Sequence, residues 1–193
     1  MDLCATQGWC DLSMADIAER AGLDLATAHQ AYPTKAAILV GLVQAIDGAV
    51  LRSLSTEPLE GGARDRLFDL LMRRFDQLQK RRDGYANLLC ELPQTPLEMA
   101  AMACQMRRSL RLMLESAGIS ASGIKGALRL QGLVAIHLAG LRAWVRDDSA
   151  DLARTMAEID KRLGQAARLN EMLVAGIKRA ETMKAEGMKS ARA

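Results

Sequence analysis

Few side chains in this 193-residue sequence are suited to covalent or metal chemistry. The soft ligands are Cys4, Cys10, Cys90, Cys104, His29 and His137, and no two cysteines form a C-x-x-C pair. A structural metal site needs several such ligands at close spacing, so none is expected, and the cysteines read as small buried or half-buried reduced thiols. There is no glycine-rich phosphate loop and no nucleophile elbow, so the sequence predicts no catalytic residue, no cofactor and no enzyme activity. What remains is hydrogen-bonding chemistry in "AGLDLATAHQAYPTK", residues 21–35, and soft apolar chemistry in a methionine-rich later half. In the first stretch Thr27, His29, Gln30 and Thr34 can exchange hydrogen bonds, and Lys35 is the one full positive charge.

The elements that must position these residues are helical. Half of the chain is apolar, only 3% is aromatic and there are four prolines, so strong helix formers fill nearly every segment. Ser13 is placed to cap a helix to about Arg20, with Asp16 at its third position. Gly22 suits a tight turn, and Asp24 caps a third helix that must stop before Pro33. Thr34 then opens a long amphipathic connector in which Ile38, Leu42, Ile46 and Ala49 recur beside Leu39, Val43 and Val50. The clearest break is "SLSTEPLEGGA", residues 53–63.

Beyond that break, Leu67, Leu71, Phe75 and Leu78 form one helix face, and the arginines between them read as solvated. A helix from Pro96 is stopped by Gly118 and puts Met99, Met102, Met106 and Met113 on about one side. The least polar helix runs from Ile124 to about Val145 and must be covered on most sides; Ser149 caps the next, with Leu152, Met156, Ile159, Leu163 and Leu169 on one stripe. Tyr32 reads as core, and His137 as a hydrogen-bonded interior side chain. The fold class is all-α: a three-helix head with a helix-turn-helix over residues 1–52, a long joining helix, a bundle over residues 53–174, and a fraying helix or disordered tail over residues 175–193. No uncharged apolar run of about 18 residues and no signal peptide is present, so a cytoplasmic protein without integral membrane association is expected.

Charge is distributed unevenly. From Met1 to Leu51, Asp2, Asp11, Asp16, Glu19, Asp24 and Asp47 stand against Arg20 and Lys35, a net of −4. From Arg64 to Arg82, seven basic residues stand against Asp65, Asp69 and Asp76, a net of +4. A helix-turn-helix head would therefore approach a polyanion with an acidic surface.

"GWCDLSMADIAERAGLDLATAHQAYPTKAAIL", residues 8–39, resembles the N-terminal helix-turn-helix of the tetracycline-repressor (TetR) family of bacterial regulators. The shared features are a glycine and hydrophobic pair, the Ser-led helix "DIAERAGL", Thr27 on a short helix, the aromatic Tyr32, and a Pro-Thr-Lys lead into the next helix. The resemblance implies a homodimer binding double-stranded operator DNA, with Leu25, Thr27 and Gln30 facing bases and Ser13, His29, Thr34 and Lys35 near phosphates. His29 replaces an aromatic usual in the family. The chain begins in the middle of what would be helix 1, and the usual basic extension is absent. Each neutralised phosphate adds about 0.9 to the salt slope and robust binding uses roughly 6 to 10, whereas Lys35 and a protonated His29 give a dimer about four. Weak, steeply site-dependent DNA binding is the expectation.

The resemblance also implies a pocket in the bundle for a small apolar effector or lipid, and the candidates to line it are Met72, Met102, Met106, Met113, His137 and Trp144. Residues 126–146 and 151–173 are the expected dimer surfaces. Two functions follow. The first is a one-component, ligand-responsive transcriptional regulator. The second comes from "WVRDDSADLARTMAEIDKRL", residues 144–163, which looks like the C-terminal pattern of TetR-fold lipid-binding accessory proteins of ubiquinone biosynthesis, with Met156 where Tyr or Trp is usual. On that reading the acidic head is vestigial.

Overall fold

The structure is a computed structural model that describes residues 1–169. Those residues are all-α, with no strand among them. The expected tail, residues 175–193, lies outside the described residues.

Helix α1 spans Asp2–Gln7 and α2 spans Met14–Arg20. Ser13 starts α2 with a capping box: its hydroxyl accepts from the Asp16 amide while Asp16 accepts from the Ser13 amide. Gly22, at φ 69°, makes the turn that Ala or any branched residue would strain. Helix α3, Leu25–Ala31, is capped by Asp24 and stops at the extended Tyr32, as a residue before proline requires. Helix α4, Lys35–Ser53, is capped by Thr34, whose hydroxyl accepts from the Ala37 amide at 3.1 Å. The bundle follows as α5, Ala63–Gln79; α6, Arg82–Glu91; a 3-10 turn, Leu92–Gln94; α7, Pro96–Ser116; α8, Gly123–Val145; and α9, residues 153–169.

The main core joins Ile46 and Val50 of α4 to Leu70, Leu71 and Phe75 of α5, Leu110 and Met113 of α7, and Leu130, Leu133 and Trp144 of α8. A second core sits where the head meets the bundle and joins Cys4, Trp9, Leu12 and Leu39 to Leu88 and Leu92. Residue 52, where the sequence divides head from bundle, lies in the last turn of α4, and the head completes its core with side chains of α6.

Several expectations need correction. Tyr32 is 43% exposed, because its ring lies along the surface of α4 over Gly41, where an added Cβ would come within 2.6 Å of the ring. Arg74 is not solvated but fully buried, since α4 and α7 supply its partners. Cys4 alone of the cysteines is buried; Cys10, Cys90 and Cys104 are exposed. Helix α8 keeps an open stripe among the described residues: Ile124 is 84% exposed, and Leu128 and Leu138 share that stripe. Helix α9 starts at residue 153, later than a cap at Ser149 predicts; the Ser149 hydroxyl still accepts from the Ala153 amide at 3.0 Å, but Asp147 organises the turn. Burial pushes the Asp147 carboxyl up, and hydrogen bonds from Ser149 and Thr155 outweigh it and hold the group at about 2.

Candidate nucleic-acid interface and ligand cavity

The short helix α3 stands away from the rest of the chain. Of Leu25–Ala31 only Ala28 is buried, and Leu25, Thr27, His29 and Gln30 all face solvent. Ser13 and Thr34 are exposed at the N-termini of α2 and α4, and Lys35 is half-buried at the start of α4. The sequence-predicted contact residues therefore lie at one end of the molecule, on three consecutive helices.

Two of their hydroxyls are already engaged. Ser13 donates to Asp16 at 2.6 Å and Thr27 donates to Asp24 at 2.6 Å. These hydrogen bonds hold both carboxyls below the usual carboxylate range, so each helix N-terminus carries a fixed negative charge where a phosphate would be favoured. Lys35 donates to the Trp9 carbonyl at 2.7 Å and lies 4.6 Å above the indole ring. One of its three donors is thereby spent on the head itself, and Arg20 is paired to Asp2.

Trp9 and Cys10 also tie the head to the bundle. The Trp9 indole N–H donates to Glu98 of α7, and the Cys10 amide donates to Glu91 of α6 at 2.8 Å. Sequence reading missed these carboxylates, which lie 89 and 81 positions after Trp9 and Cys10 with no motif to join them; only the tryptophan in a glycine-led loop hinted at an anchor.

The bundle holds a different kind of polar site. Arg74 of α5 pairs with Asp47 of α4 and donates to Ser109 of α7 at 2.8 Å, and Ser109 donates to the same Asp47 oxygen at 2.5 Å. The Met106 sulfur lies 3.3 Å from the guanidinium. Burial pushes the Arg74 guanidinium below its ordinary value, Asp47 opposes this, and the group stays charged. His137 of α8 is also fully buried, with its ring 5.5 Å from that of Phe75. Contrary to expectation neither of its nitrogens has a hydrogen-bond partner among the described residues, nor does Arg74 Nε. Burial, with the nearby Arg74 charge, pushes the imidazole down to about 3, so it is neutral.

Arg74 and His137 line one small cavity, of ≈ 20 Å³, with Met102 and Met106 on its half-buried side. Of the other pocket candidates, Met113 is buried in the main core and Met72 packs against that core. Trp144 is buried at the far end of α8, where its indole N–H donates to Gln79 at 2.9 Å. The signals for Asp47 and Arg74 were visible: each is a charged residue set on the apolar stripe of its helix, Asp47 between Val43 and Val50, Arg74 between Leu71 and Leu78.

The same arrangement of helices occurs in solved structures. The chain resembles a TetR transcriptional regulator from Nitrosomonas europaea ATCC 19718, with a TM-score of 0.69 and 19% identity over 86% of this chain and 92% of that one. It also resembles a TetR transcriptional regulator from Rhodococcus sp. RHA1, with a TM-score of 0.63 and 17% identity over 85% of this chain and 88% of that one. No protein-family model and no curated protein matches the sequence. At these identities the likeness establishes the fold: this is the all-α architecture of those two regulators.

Proposed function

We propose that the chain is a dimeric, ligand-responsive transcriptional regulator that reads operator DNA with α3. The observation that carries this reading is the outward face of α3, a two-turn helix held after a sharp bend with Leu25, Thr27, His29 and Gln30 free to enter a major groove. The open stripe of Ile124, Leu128 and Leu138 on α8, with Met156 on α9, supports pairing through residues 126–146 and 151–173, of which 170–173 lie outside the described residues. On this reading the protein works in the cytoplasm and binds rather than catalyses. Helix α4 has the length and apolarity of a membrane span, with a mean hydropathy of 1.5. Its buried face and the Asp47 pair favour a place within the bundle instead.

The test is a fluorescence-anisotropy titration of fragments from the gene's own promoter region at low salt. One fragment should bind at least tenfold tighter than its scrambled counterpart, with a salt slope no steeper than about −4, since a dimer brings about four cations. Equal affinity for every fragment, or none, overturns the proposal.

The carboxylates of Asp16 and Asp24 favour a second reading, a TetR-fold lipid-binding accessory protein with a vestigial head. Against it, the cavity of ≈ 20 Å³ offers no room for an isoprenoid chain without large rearrangement. Isoprenoid co-purifying with the protein under native mass spectrometry would establish this second reading over the first.

A further inference from the structure

The interior polar atoms specify a ligand more narrowly than the fold does. Arg74 Nε carries a hydrogen, and a neutral imidazole offers one donor and one acceptor, so His137 and Arg74 together present two donors without partners among the described residues. A buried donor left unpaired is costly, and both side chains line the same cavity. The Arg74 charge is already balanced by Asp47. A carboxylate entering here would place a second anion in a low-dielectric interior, and a cation would face the guanidinium.

We infer that the cavity enclosed by α4 to α8 binds a compact, uncharged, mainly apolar molecule with one carbonyl oxygen, which accepts hydrogen bonds from Arg74 and His137. Its free volume of ≈ 20 Å³ is enough for about one water, so entry requires side chains to move. Leu42, Leu89, Met102, Met106 and Leu141 form the half-buried side, and the two thioethers adapt to varied shapes at little cost. The wall that moves is the wall that holds the head. Leu89 shares α6 with Glu91, the acceptor for the Cys10 amide, and Met102 stands one turn after Glu98, the acceptor for Trp9. The assignment of this ligand as an effector rests on the regulator reading; its binding does not.

The experiment is therefore run without DNA, on the full chain, by thermal unfolding with three probes of one shape: cyclohexanone, methylcyclohexane and cyclohexanecarboxylate. Cyclohexanone should raise Tm saturably, by about 5–10 °C at a hundredfold excess over its Kd. Methylcyclohexane and the carboxylate should bind at least tenfold more weakly. H137F, which keeps an aromatic ring beside Phe75, should erase the preference for the ketone. M102W, which leaves both polar groups untouched, should fill the cavity and abolish the shift. The inference is overturned if no probe gives a saturable shift, so that the site holds only water. It is equally overturned if the hydrocarbon or the carboxylate binds as well as the ketone, or if the preference survives in H137F. Failure here leaves operator binding standing, and failure of the promoter titration leaves this site standing.

Discussion

The head and the bundle satisfy their polar groups over very different stretches of chain. At the helix starts of the head the contacts close within three residues, Ser13 with Asp16, Asp24 with Thr27 and Thr34 with the Ala37 amide, and the longer reaches of Trp9 and Cys10 go to the bundle. In the bundle Arg74 reaches Asp47 across 27 positions and Ser109 across 35, while Ser109 reaches Asp47 across 62. Local contacts end helices and set their first turns, but they say nothing about where one helix lies against another. The buried triad does, because it fastens α4, α5 and α7 to one point. Substitutions should therefore act mainly on stability in the bundle and mainly on the surface in the head.

The largest effect should come from splitting the buried pair. Asp47→Ala leaves a guanidinium uncompensated in the core and should cost about 3–5 kcal/mol in urea unfolding, whereas Asp47→Leu combined with Arg74→Met should recover most of that loss. If the single and double variants were equally unstable, the triad would be a matter of volume and not of charge.

Acidification should single out the bundle next. His137 is held at about 3 in the folded chain, against about 6.5 when unfolded, so on acidification the unfolded chain takes up the proton first. Stability should fall as pH drops from about 6.5 towards 3, by about 2 kcal/mol at pH 5 relative to pH 7. H137F removes the group and should flatten this part of the profile in urea unfolding at the two pH values. An unchanged slope in H137F would place the titrating group elsewhere.

The same contrast explains what could be read in the amino-acid order. The helices of the head, their caps and the stop before Pro33 all depend on neighbours three or four residues apart, so Ser13, Asp24 and Thr34 declare their roles locally. The face of α5 was legible too, through the spacing of Leu67, Leu71, Phe75 and Leu78, as was the start of α7 at Pro96, although of the four methionines set on one side of α7 only Met113 is buried. For Arg74 the place between Leu71 and Leu78 was a signal of burial, but its partners were not legible, because they lie on other helices 27 and 35 positions away. Tyr32 misled for another reason: an aromatic after a short helix usually packs inward, and only the missing side chain at Gly41 lets this ring rest on the surface. The ligand candidates followed side-chain softness, so Met102 and Met106 fell beside the cavity while Met113 and Trp144 fell elsewhere in the core.

In the head the informative substitution is one that stability measurements should scarcely register. Asp24→Asn keeps an oxygen that can accept from the Thr27 amide, and Asn caps a helix about as well as Asp, so α3 should persist with an unchanged unfolding midpoint. What disappears is one negative charge per subunit at the N-terminus of the reading helix. Two such charges, each roughly 6 Å from a phosphate in a watery interface, oppose binding by about a factor of ten in the dimer. Operator affinity at low salt should therefore rise by about tenfold, and the gain should shrink as salt is added, since screening removes the repulsion that the substitution relieves. A rise in affinity that was equal for scrambled duplex would mean the carboxylate weakens all contact with DNA alike. A rise confined to the operator would mean that Asp24 also fixes how deeply Thr27 and Gln30 reach the bases. No change at either salt would show that this helix end does not approach a duplex, and with it the proposed reading role of α3 would fall.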